Sequence, residues 1–359
     1  MNVNYLFLLL LIFLSTFSQA STKIEVFTTS QSFSNILPVK QLITDNWRQS
    51  PEKNASDGFT QNEVGMSSYW QHLSLSVAER YDYFVYSNPD TAKVFYLDKN
   101  DLALDTQEKY HIALKLFHQR SNGLRIGYKY EFENFSSEIR LGYWDLNVTR
   151  ESNLTGTLAS DLNGNISAIA QLDEFYTANN FLKRRNSNDW DADGTGITID
   201  IHLRWQLNQY LSINADLKDI YNHFTVDESG FSAGNIDTDG TFINSVGGVA
   251  YLPVYRGKET TSKHQFKLPK QLSFIGFYHH SEQISYLARY KRQGEQNFYY
   301  LGFDIAHENS STRISFDIEN TAPEIQYKND WLSVTFAIDS LKIEQAMLLN
   351  LGFNLYYRF

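Results

Sequence analysis

The chain is 359 residues long, enough for one large domain or two modest ones, with 31 Lys and Arg against 41 Asp and Glu and a formal net charge of −10. That acidic balance, without a concentrated basic stripe, argues against nucleic-acid binding. The absence of cysteine excludes disulfides, thiol nucleophiles and thiolate metal sites. Tyr and Phe number 23 and 25 and Trp six, yet the mean hydropathy is negative, which suits a wall that is oily on one side and polar on the other.

In chain order, residues 5–14 read Tyr-Leu-Phe-Leu-Leu-Leu-Leu-Ile-Phe-Leu, shorter than the roughly 20 residues of a membrane-crossing helix. Ser18 and Ala20 then stand where a signal peptidase needs small residues, so residues 1–20 are predicted to be a signal peptide cleaved after Ala20. No Lys or Arg precedes the apolar core, which leaves an N-terminal membrane anchor as the alternative. Residues 21–66 are predicted to be an N-terminal extension. Within it Pro38, Pro51 and Gly58 surround residues 39–47, a short helix that would cap or plug the domain formed by residues 67–359.

No span after Phe17 is apolar enough for a transmembrane helix. A chain that enters a membrane without one must do so as a closed barrel, which pairs every backbone group. The test is alternation over spans of about 9 to 11 residues. Strands are predicted near 69–77, 110–118, 124–132 and 137–148, with weaker segments at 80–86, 162–172, 175–182, 242–251 and 264–278. Residues 87–108 and 183–196 read as loops. Ile197, Ile199, Ile201, Leu203, Trp205 and Leu207 alternate with Thr198, Asp200, His202, Arg204 and Gln206, and a second run covers 211–217. Further alternating runs cover 284–290, 299–305, 313–319, 332–338 and 347–359. Connections such as 291–295 and 307–311 are too short for crossover helices, so neighbours must be antiparallel. The fold class expected is all-β, a transmembrane antiparallel up-and-down β-barrel over residues 67–359 with about fourteen strands, twelve to sixteen being compatible with the pattern.

The last segment, Gly352-Phe353-Asn354-Leu355-Tyr356-Tyr357-Arg358-Phe359, resembles the C-terminal strand of Gram-negative outer-membrane β-barrel proteins. The resemblance implies outer-membrane localisation with a periplasmic C-terminus, and surroundings of outer-membrane lipid and lipopolysaccharide. It also implies recognition of this strand by the barrel-assembly machinery, through Phe353, Leu355, Tyr357 and Phe359. It carries no substrate, and no narrower family is identified.

On the polar face, Arg204, Lys218, Arg289, Arg313, Asp317 and Arg358 either line an aqueous lumen or pair as buried ionic networks. Tyr69, Trp70, Trp205, Trp331, Tyr356 and Tyr357 fit interfacial girdles. Asp189, Asp191, Asp193 and Asp200 faintly match a calcium loop, but the twelfth position holds Asp rather than Glu and falls in a strand pattern, so an acidic surface loop is preferred. His279-His280-Ser281-Glu282 invites comparison with the His-x-Ser motif of outer-membrane lipid A deacylases, yet Glu282 stands where that motif has Asn, and a polar turn is the better reading. No catalytic, metal or cofactor-binding residue is therefore predicted. The functional expectation is a channel or transport barrel for small solutes. A closed barrel for surface attachment, envelope assembly or export, and an outer-membrane enzyme, are the alternatives.

Overall fold

The computed structural model describes residues 22–106, 108–177, 193–239, 241–243, 249–251 and 255–359, so the predicted signal peptide lies outside the described residues. The elements run β1 (Thr22–Ser34), α1 (Val39–Ile43), β2 (Asp57–Trp70), β3 (Leu73–Ser87), α2 (Pro89–Lys99), β4 (Lys109–Phe132), β5 (Phe135–Ser160), β6 (Ile166–Tyr176) and β7 (Gly194–Gln206). They continue with β8 (Leu211–Asp237), β9 (Thr241–Ile243), β10 (Val249–Tyr251), β11 (Tyr255–Phe266), β12 (Gln271–His279) and β13 (Ile284–Gln293). The last are β14 (Gln296–Ala306), β15 (Ser310–Asp317), β16 (Ala322–Asn329), β17 (Leu332–Ile338) and β18 (Leu348–Arg358).

Antiparallel ladders run β1 to β5, then β7, β8 and β12 to β18, and β18 pairs back to β1 from Lys23 opposite Arg358 to Phe33 opposite Leu348. The result is a closed barrel of 14 strands, as the alternation predicts. Closure leaves no edge around the ring. At the lower end, where Arg358 and Lys23 meet, successive strands are joined by tight links such as Gln71-His72 and Glu133-Asn134, whose first residues adopt positive φ. The long connections all lie at the upper end. There β6 continues the sheet between the upper parts of β5 and β8, and β11 pairs with the upper part of β8.

The outer face is apolar. Leu124, Ile126, Tyr128, Tyr130 and Phe132 of β4, and Ile139, Leu141 and Tyr143 of β5, stand 40–58 % exposed side by side. A continuous belt of this kind is a surface for hydrocarbon rather than for water. Trp205, Trp331 and Tyr357 sit on the outer face, but Tyr69 and Tyr356 point inward, Tyr69 donating to Glu25 at 2.8 Å and Tyr356 receiving the Lys23 ammonium over its ring at 4.0 Å.

Several expectations are corrected. Residues 21–66 are not an extension apart from the wall, because β1 and most of β2 are wall strands, and β1 closes the ring. The short helix exists as α1, but it plugs nothing. It and the neighbouring loop pack with α2 against Val85, Leu114 and Leu154, residues that face out of the barrel. Residues 87–108 contain α2, started by Asn88, whose side chain accepts from the Thr91 amide at 2.9 Å, with Pro89 at the first turn. The segments 110–118 and 124–132 are one strand of 24 residues, since Ser121-Asn122-Gly123 continues the ladder through a bulge instead of turning. The stretch 264–278 is two strands broken at 267–270, and β16 lies outside the predicted strands, its outer face carrying Pro323 and only Ile325 and Tyr327 as apolar residues.

Candidate functional site

Contacts between strands that are not neighbours fix which face is inside. Arg80 of β3 reaches Asp219 of β8, Lys218 of β8 reaches Glu63 of β2, Lys291 of β13 reaches Gln31 of β1, and Gln293 of β13 reaches Gln61 of β2. The lumen is therefore filled by its own side chains at this level.

The centre of this layer is Arg80. Its guanidinium donates to Asp82 at 2.6 and 3.2 Å and to Asp219 at 2.8 and 2.6 Å, and all three side chains are 1–2 % exposed. Arg80 and Asp82 share a face because they are two residues apart on one strand. Asp219 arrives from across the lumen because β8 is irregular there, with Asp219 at φ 56° and its amide donating to Asp200 at 2.8 Å. Gln61 and Gln119 also donate to Asp82, at 2.6 and 2.8 Å, and Glu63 accepts from both Arg125 and Lys218. Such charge-assisted, bidentate bonds are the strong ones, and charges removed from water demand them.

One residue pair further up, the chemistry changes. Gln31 gives way to Phe33, Gln61 to Phe59, Asp82 to Phe84 and Gln119 to Phe117, and Phe298, Phe224 and Phe266 complete a buried aromatic layer. Ring centroids lie 5.4 Å apart for Phe33 and Phe298, 5.1 Å for Phe117 and Phe266, and 5.2 Å for the stacked pair Phe224 and Phe266. Above Phe266, His264 stacks on Phe175 at 3.9 Å and 13°, and Phe175 meets Phe231 at 4.6 Å.

Residues 267–270 leave the wall: β12 pairs with β8 up to Lys218 and β11 takes over only from Phe224. Leu268 is pinned inside by Asn222, whose side chain accepts from its amide at 2.6 Å and donates to its carbonyl at 3.0 Å. Above this segment opens a vestibule of about 550 Å³. Phe84, Phe117, Phe266 and Leu268 line its floor, and Lys115, Glu151, Lys267 and Glu295 supply its charges. Glu151 is held by His264 at 3.0 Å and Lys115 at 3.4 Å.

The six charges predicted for the polar face all have lumen-side registers, but they do not form one site. Lys218 belongs to the ionic layer. Arg289 pairs with Glu324 at 2.8 Å and lies 3.7 Å from the Tyr300 ring centroid, and Arg313 pairs with Asp304 at 2.9 Å. Asp317 is buried and holds the upper turn by accepting from Asn320 at 2.7 Å. Arg204 and Arg358 are exposed at the lower end. Phe353, Leu355, Tyr357 and Phe359 are 40–68 % exposed, the first three on the outer face of β18 and Phe359 just beyond it. Asp189 and Asp191 lie outside the described residues, while Asp200 turns into the lumen, away from any surface loop. Ser281 accepts from the amides of Gln283 and Ile284, at 3.3 and 3.1 Å, as a polar turn requires. Glu63, Arg80 and Asp82 went unpredicted, although the spacing Arg80-x-Asp82 in an alternating run carries the signal.

No family model and no curated protein matches the chain. Among solved structures it is similar to the toluene transporter TodX of Pseudomonas putida, with 9 % identity over 96 % of this chain and 90 % of that one and a TM-score of 0.39. A FadL homologue of Pseudomonas aeruginosa gives 9 % identity, 95 % and 90 % coverage and a TM-score of 0.39. The translocator domain of the autotransporter NalP of Neisseria meningitidis gives 9 %, 99 % and 94 %, and 0.33. Identities this low leave function to be read from the chain's own residues.

Proposed function

We propose that this chain is a transport barrel of a Gram-negative outer membrane, its lower end periplasmic, which admits a small apolar or aromatic solute from the vestibule at its upper end. The apolar belt, the tight lower turns and the long upper connections support that placement and orientation. Phe353, Leu355, Tyr357 and Phe359 would then be the residues met by the assembly machinery. The observation that carries the transport reading is the vestibule: a concave site with an aromatic floor and a few charged groups, set directly over the lumen. The solute would replace aromatic contacts of the floor and pass once the Arg80 bonds below it rearrange.

The filled lumen favours a second reading, a closed barrel used for surface attachment, assembly or export. Transport assays on proteoliposomes of the full chain separate the two. Uptake of a monoaromatic hydrocarbon faster than into empty vesicles, with a sugar of similar size excluded, is expected. A folded barrel that admits neither compound would sink the transport reading and leave the closed barrel.

A further inference from the structure

The lower lumen contains a constellation that transport does not use. His279 ends β12, which pairs with β8 on one side and β13 on the other, so its imidazole lies between side chains of both neighbours. Nε2 is 2.9 Å from Ser212 Oγ and Nδ1 is 2.9 Å from Ser285 Oγ. Two residues up the same faces, Phe277 and Leu287 form with Ile275 a separate small apolar cluster inside an otherwise polar region. The Arg313 guanidinium stands 5.1 Å from the Phe277 ring centroid. Ser212 is buried, whereas His279 and Ser285 are partly exposed near the lower mouth.

We propose that Ser212, His279 and Ser285 form a serine-hydrolase site for carboxylic esters with apolar acyl chains, reached from the lower end of the barrel. A nucleophile bonded to a base, with the base bonded to a third group that fixes its tautomer, is the arrangement acyl transfer requires. Ser285 Oγ accepts from Nδ1–H, which leaves Nε2 free to take the Ser212 proton. Ser212 Oγ attacks the ester carbonyl carbon, and the tetrahedral intermediate expels the alcohol, which leaves with the proton from His279. Water then attacks the acyl-serine while His279 takes its proton. Collapse releases the carboxylic acid and returns the proton to Ser212. His279 is thus the residue that the His-x-Ser comparison singles out, but its partners come from other strands and Ser281 is not one of them.

The test uses the full chain folded in detergent micelles, a fluorophosphonate probe and the p-nitrophenyl esters of butyrate and octanoate. Expected are labelling at Ser212 and loss of both labelling and ester turnover, by about 100-fold or more, in Ser212→Ala and His279→Gln, with Ser281→Ala unchanged. Ser285→Ala, a positioning change, should lower kcat and keep KM. Heat-modifiable gel migration reports folding of each variant. Because the chain has no cysteine, Ser212→Cys offers an independent readout: iodoacetamide should alkylate it about tenfold or more faster than Ser281→Cys, and the addition of His279→Gln should remove the advantage. A folded wild-type barrel that takes no label, or labelling that survives Ser212→Ala, overturns the proposal. An unexceptional thiol at position 212 does so as well.

Discussion

The ionic layer around Arg80 and the aromatic layer around Phe224 lie one residue pair apart on the same strands, yet they fill the lumen in different ways. The ionic layer holds distant strands by directed bonds: one guanidinium joins β3 to β8, and its partner Asp82 is already committed to Gln61 and Gln119. The aromatic layer holds by fit, with rings from β1, β2, β3, β4, β8, β11 and β14 in contact and no direction imposed by a donor. The first fails when a single partner is removed, because a buried charge is left uncompensated. The second fails by degrees, according to how far neighbours can relax. A gate built from these two layers would place its switch in the ions and its selectivity in the rings.

Arg80→Ala is the strongest way to break this contrast. It strands Asp82 and Asp219 in a layer closed to solvent, and a loss of about 3–5 kcal/mol in urea unfolding in micelles is expected. Planar-bilayer recording of the variant should also show steps that the wild-type barrel lacks. Unfolding indistinguishable from wild type would mean that the Arg80 bonds do not hold the lumen together. Gly196→Ala probes the aromatic layer more gently. A Cβ there would overlap the Phe224 ring, which seats directly on the glycine, so the ring must move against Phe266. About 1–3 kcal/mol is expected from overpacking, without new conductance. Conductance in this variant as large as in Arg80→Ala would erase the distinction between the layers.

The two layers also differ in how far the sequence discloses them. Alternation reveals a wall wherever one face is apolar and the other polar, which is why β7, β13, β14, β17 and β18 are legible; the total of about fourteen agrees although β1 and β16 are missed and β4 reads as two segments. It says nothing of which strands contribute to one cluster. Lys218 is readable as a lumen charge, but its partner Glu63 lies in a segment whose Asn, Gln and Gly residues give no apolar stripe, so β2 reads as extension. The aromatic layer is hidden for the opposite reason. Phe84 and Phe117 turn inward while Val85, Leu114 and Leu116 turn outward, so both faces are apolar there and the alternation that marks the strands does not say which rings meet in the lumen. Tyr69 and Tyr356 look like girdle residues, and only their bonding partners Glu25 and Lys23 set them inside. The Ser212–His279–Ser285 row is invisible in sequence because its members are 67 and 6 residues apart and meet only through ladder register.

The smallest effect is expected far from both layers, at the upper rim. Lys40 of α1 donates to Glu344 at 2.8 Å, and Gln41 donates to the Glu344 carbonyl at 3.1 Å, which ties the helix to the last upper loop. The bond from Lys40 lowers the Glu344 carboxyl pKa below its ordinary value. A carboxyl whose pKa is lowered on folding stabilises the fold fully above its unfolded pKa, and the contribution is lost as pH falls through the folded value. Both side chains are well exposed, so solvent screens most of the attraction. Glu344→Gln should therefore lower the melting temperature slightly near neutral pH and not at all in acid, where the wild-type carboxyl is also neutral. A variant that matches wild type at neutral pH but differs in acid would reverse this sign and detach the pair from the stability of the rim. A change as large as that of Arg80→Ala would show that the α1 contact, rather than the lumen, holds the upper half of the barrel.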